Sequence, residues 1–167
     1  METETAIELF RAIPIAIGGA IAIAGGLVAQ WMTHHFTKER ERQNILLEKA
    51  ERLVDVIYAH KDWLDQLRSH LMFGTEKSKE PDPMHQVWML RELYFPSLDQ
   101  ESFALNTAAK AIISYVYDQG IERVRDLSQY TKSYDPAPLL KLWSDYLTAS
   151  NNLIRAVSQK LSTKVRS

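Results

Sequence analysis

Between Arg11 and Lys38 the chain carries no formally charged residue, the titratable His34 and His35 aside, and no other stretch goes so long without one. The run at 9–36 reads LFRAIPIAIGGAIAIAGGLVAQWMTHHF. A bilayer core about 30 Å thick needs roughly 20 apolar residues at about 1.5 Å each, and 12–32 supplies that length. This predicts a transmembrane anchor at 12–36, a short extracytoplasmic N-terminus at 1–11 and a cytoplasmic helical domain at 37–167. Everything after the run is then read as what the anchor holds at the membrane.

The flanks support the anchor. Trp31 lies at one end, where an amphipathic ring favours the headgroup layer, and Arg11 lies at the other, where its long stem reaches back to the polar surface. A cleaved leader is the competing reading, because Ala20-Ile21-Ala22 and Ala22-Ile23-Ala24 match a small-residue cleavage pattern. Such leaders begin basic, whereas Glu2, Glu4 and Glu8 come first here and the apolar run continues past the cleavage pattern. Lys38, Arg40 and Arg42, followed by Lys49 and Arg52, outweigh the single Arg11, which orients the large C-terminal part inward across a bacterial inner membrane. The absence of cysteine fits a reducing compartment.

Within the run, small residues recur every four positions: Gly18, Ala22 and Gly26 on one face, Ala16, Ala20 and Ala24 on another. That spacing lets helix backbones approach closely in lipid, where apolar burial alone drives no association. Membrane lipid and a second copy of the chain, or another membrane protein, are therefore the expected partners. The glycine pairs at 18–19 and 25–26 are no phosphate loop, since the Gly-Lys-Ser/Thr ending and a preceding strand are both missing.

With about 35 residues in the anchor, the rest of the 167-residue chain suits one domain. Hydrophobic residues at 46% and charged ones at 25% describe a folded protein, and a net charge of −1 offers none of the basic surface that nucleic acid requires. No proline or glycine interrupts 27–73, where Leu46, Ala50, Leu53, Ile57, His60, Leu64, Leu67 and Leu71 step by fours and threes, with Leu47, Val54, Val56 and Trp63 widening the stripe. The transmembrane helix is expected to run into this one, with 37–42 the place for a bend. Gly74 caps it, 75–83 is a loop, and Asp82 with Pro83 opens a short helix carrying Val87, Leu90, Leu93 and Tyr94 inward. Ser97 and Gln100 read as a capping box for a helix whose inward stripe is Leu105, Ala109, Ile112, Val116, Gly120, Val124 and Leu127. After a turn at 130–138, where Asp135-Pro136 repeats the cap-then-proline device, a last helix points Leu139, Trp143, Tyr146, Leu147, Leu153, Ile154, Val157 and Leu161 to one side. The fold class is all-α: an N-terminal transmembrane helix continuing into an antiparallel bundle of three long helices and one short one.

No constellation of catalytic chemistry stands out. Of the five histidines, none sits in a Glu-x-x-His or His-Glu-x-x-His arrangement, so neither a metal nor a cofactor is expected. His34 and His35 suit the interface, while His60, on the apolar stripe, is read as a bundle-edge or partner-facing residue rather than a ligand. Serines lack a nucleophile elbow. Trp63, Trp88, Trp143, Tyr115, Tyr117 and Tyr146 fall mostly at core spacing, and Tyr115, Tyr117 and Tyr134 are expected to be exposed.

The run THHFTKERERQNILLEKAERL after a small-residue membrane helix, with YFPSL later, resembles a type of uncharacterised bacterial single-pass protein with an N-terminal anchor and a cytoplasmic helical domain. The matching residues are Thr33, Phe36, Thr37, Arg40, Glu41, Arg42, Tyr94, Phe95 and Pro96. The resemblance implies no activity. The reading is thus a non-enzymatic, membrane-tethered helical scaffold that self-associates or binds a partner, with a small pore-forming or membrane-perturbing protein of phage lysis or toxin type as the alternative.

Overall fold

The computed structural model describes the backbone of residues 2–76 and 80–165, with side chains over 25–27, 29–76 and 80–163. Among the described residues there are five α-helices and no strand: α1 (Glu2–Phe73), α2 (Met84–Tyr94), α3 (Asp99–Arg125), α4 (Leu127–Ser133) and α5 (Ala137–Val165), with a 3-10 turn at Pro96–Leu98. The chain divides into two units, one ending at Ile45 and the other starting at Leu46. The first is helical throughout its described length, including 37–42, where a bend was expected.

The second unit is built as an up-and-down arrangement that the contacts define. Lys49 Nζ lies 6.0 Å from the Tyr94 ring centroid, near the end of α2, while the Trp63 indole N–H donates to Glu80 O at 3.2 Å, ahead of its start, so α2 runs back along α1. Gly120 of α3 meets Leu71 of α1. Lys160 of α5 donates to Ser97 Oγ, and the Tyr115 hydroxyl to Asp135 O at 3.3 Å, which sets α5 antiparallel to α3. One apolar core joins all of them through Leu53, Ile57, Leu64, Val87, Leu105, Ile112, Val116, Leu153 and Val157.

The ends of these helices follow local chemistry. Gly74 takes φ 76°, and its N–H donates to His70 O at 3.0 Å, the left-handed cap that only glycine adopts without a Cβ penalty. Asp82 Oδ1 accepts from Met84 N at 2.8 Å, Asp126 Oδ1 from Gln129 N at 2.9 Å and Asp135 Oδ1 from Ala137 N at 2.9 Å. Each carboxylate satisfies an orphan N–H and faces the positive end of a helix dipole.

Several expectations fail. Ser97 caps nothing: it lies in the 3-10 turn and accepts from Lys160, while α3 begins beyond it with no side-chain cap, Asp99 and Glu101 supplying acidic charge in its first turn. The turn expected at 130–138 overlaps the second half of α4, because Asp126 leaves helical geometry at φ −152° and starts a new helix at once. Val124 is 82% exposed and Leu127 is exposed as well. α1 stops at Phe73, so α3 outruns the neighbour that covers Gly120, and its apolar stripe continues over nothing. Leu93 is exposed because Met84, Val87 and Leu90 advance by three on a 3.6-residue turn, and one further step rotates off the core. Leu47 and Leu147, each about 100° round from a core-facing neighbour, are exposed too. Tyr115 and Tyr134, expected on the surface, pack against the core edge, and Tyr117 is the exposed one of the three.

Candidate functional site

Two places carry the residues singled out by the sequence: the first unit of α1, and His60. On α1, Gly18, Ala22 and Arg11 lie outside the residues whose side chains are described. Gly26 is described, and a Cβ built on it, as on Gly25, meets nothing within 4 Å. Beyond it the helix presents a band of bare apolar side chains: Leu27 is 62% exposed, Trp31 68% and Phe36 57%, with Met32 beside them. Trp31 stacks on His35 at 5.7 Å between centroids and 12° between planes, and His35 meets the edge of Phe36 at 6.3 Å. His34 and His35 are both exposed. The only hydroxyls here bond back into the helix, Thr33 to Ala29 O and Thr37 to Thr33 O at 2.8 Å each. Each hydroxyl thereby places its one donor without water. Lys38, Arg40 and Arg42 follow, all exposed.

His60 overturns its reading as an edge residue. It is 0% exposed, in the centre of the bundle. Position on the α1 stripe puts it there, and what makes it tolerable is a set of partners from other elements. Its Nδ1 lies 2.9 Å from Tyr146 Oη of α5, its Nε2 lies 3.5 Å from Asp82 Oδ1 at the start of α2, and its ring stacks on Trp63 at 5.9 Å. Trp143 completes the cluster edge-on to Tyr146. The carboxylate beside Nε2 selects the Nε2–H tautomer, so Tyr146 donates its hydroxyl proton to Nδ1.

Burial holds the His60 imidazole down at about 4, outweighing the attraction of Asp82 for its charged form, and burial likewise pushes the Tyr146 phenol up. Both groups are neutral at pH 7. A base with its lone pair taken by a phenol, sealed from solvent, has no route to a substrate. The cluster ties α1, α2 and α5 into one register, a role the sequence could not reveal because Asp82 and Tyr146 are distant in the chain.

Among the described residues no three metal-ligating side chains converge. Among the residues whose side chains are described, no helix is long and apolar enough to cross a membrane. No protein family, curated protein or solved structure matches the chain.

Proposed function

We propose that the chain is a membrane-tethered helical scaffold, anchored through 12–36 with the bundle on the cytoplasmic face, that associates with a second copy or with another membrane protein through its first unit. The observation that carries this reading is the apolar band of Leu27, Trp31, Met32 and Phe36, exposed beside two glycines that no side chain fills. Apolar surface of this kind, contiguous and adjoining a basic segment at Lys38, Arg40 and Arg42, marks a membrane or protein interface. Ring, hydroxyl and charge come in the order that a helix leaving a bilayer presents: apolar run, Trp31 at the headgroup level, self-satisfied Thr33 and Thr37, then cations.

The small-residue face at Gly18, Ala22 and Gly26 is the proposed contact between copies. Lipid and a protein partner are the ligands in this scheme, and the scaffold performs no chemistry of its own. Membrane fractionation followed by mass measurement in mild detergent tests it. The expected result is carbonate-resistant membrane association and a mass of at least two protomers or a stoichiometric co-purifying protein. Recovery in the soluble fraction as a bare monomer at native expression overturns it.

A further inference from the structure

Where α3, α4 and the start of α5 converge, three tyrosines and three carboxylates line a cleft of about 310 Å³: Tyr115, Tyr130, Tyr134, Glu122, Asp126 and Asp135. Tyr130 on α4 and Tyr134 just past its end stand 5.6 Å apart at 42°, and Tyr115 reaches in from α3 to hydrogen-bond Asp135 O. Tyr130 is only 8% exposed, and its hydroxyl has no hydrogen-bond partner among the described residues. A polar atom that is buried and unused costs stability, and its retention calls for a physical reason.

The cleft carries a net negative charge, although Arg123 lies close enough to act on Tyr130. Aromatic faces are negative, and the carboxylates outnumber the one guanidinium among the lining residues, Arg125, which is already paired with Glu122 at 2.9 Å. Burial, and then the neighbouring tyrosines, push the Tyr115 and Tyr130 phenols up, so these two stay neutral at physiological pH. We propose that this cleft binds a small alkylated ammonium cation, held over the rings of Tyr115, Tyr130 and Tyr134 and balanced by Asp126 and Asp135. Cation–π attraction supplies the selectivity for positive charge, and a methylated ammonium, weakly hydrated, loses little on leaving water. This site lies wholly in the second unit and is independent of the proposed membrane role.

The test uses the full chain in a non-ionic detergent, with choline as the probe and its uncharged isostere 3,3-dimethylbutan-1-ol as the control, read by calorimetry and ligand-observed NMR. Choline is expected to bind at least tenfold more tightly than the isostere. The double change Asp126→Asn with Asp135→Asn keeps both helix caps, because asparagine caps as well as aspartate, while removing two charges. It is expected to weaken choline at least tenfold with the melting temperature held. Tyr134→Phe is expected to retain binding and Tyr134→Leu to lose it, since the ring face rather than the hydroxyl carries the attraction. Equal affinity for choline and the isostere overturns the proposal, as does an unchanged choline affinity in the double asparagine variant. Repeating the titration in nanodiscs of phosphatidylcholine and of phosphatidylglycerol separates the sources: displacement of choline only in the former identifies a lipid headgroup, and equal binding in both a free amine.

Discussion

Tyr146 Oη stands 2.9 Å from His60 Nδ1 across 86 residues of chain, and both side chains are fully buried. In this bond the donor is the phenol and the acceptor a neutral imidazole. That assignment makes the folded state sensitive to acid.

The pH dependence has a definite sign. His60 titrates at its ordinary value of 6.5 in the unfolded chain and at about 4 in the folded one. The unfolded state therefore binds the extra proton between those values, and stability is fully present above about 6.5 and lost as pH falls toward 4. The loss amounts to about 3 kcal/mol. Urea unfolding at pH 7 and pH 4 measures it, and His60→Gln, which still accepts from Tyr146, is expected to flatten the difference. A slope that survives in His60→Gln would assign the acid sensitivity to other groups.

Tyr146→Phe keeps the ring contacts to His60 and Trp143 but strips the donor from His60 Nδ1. A fully buried acceptor is left without a partner. The expected cost is about 1–3 kcal/mol, read as a lower urea midpoint at unchanged slope.

Gly120→Ala sets two effects against each other. Alanine favours an α-helix by about 1 kcal/mol over glycine. At Gly120, though, the added Cβ meets Leu71 Cβ at 3.3 Å and Leu71 O at 3.4 Å, and a packed backbone yields less easily than a side chain. Overpacking of this kind costs about 1–3 kcal/mol, so a net loss near 1 kcal/mol is expected in thermal unfolding. A stabilised variant would show that α1 and α3 separate readily.

The membrane face is tested by bulk. Ala22→Ile with Gly26→Ile adds volume where backbones are proposed to touch, whereas Ile17→Leu with Ile21→Leu leaves that face alone. Small-residue packing in lipid is worth about 1–2 kcal/mol, so the first pair is expected to lower association roughly tenfold in an inner-membrane two-hybrid assay, while insertion persists. Equal signals from both pairs would transfer any association to surfaces outside the small-residue face.

Periodicity was enough to place most of the core. Ala50, Leu53, Ile57 and Leu64 on α1, Leu105 to Val116 on α3, and Leu139, Leu153 and Val157 on α5 are buried as their spacing requires, because a helix that must cover an apolar stripe has one way to turn it. The caps at Gly74, Asp82 and Asp135 were legible for the same kind of reason: the interactions that end helices span only a few residues.

Tertiary structure decided where those stripes stop. Val124 and Leu127 continue the spacing in the sequence and are exposed: Val124 lies on α3 past the point where α1 ends at Phe73, and Leu127 lies on α4, past the break at Asp126. His60 broke the pattern and is buried, since Tyr146 of α5 hydrogen-bonds its Nδ1 and the Asp82 carboxylate ahead of α2 lies 3.5 Å from its Nε2. The tyrosine cleft arose the same way, from α3, α4 and α5 meeting at one end of the bundle. Local chemistry writes the helices and their ends into the sequence, while every relation that depends on which helix lies beside which is settled only when the chain has folded.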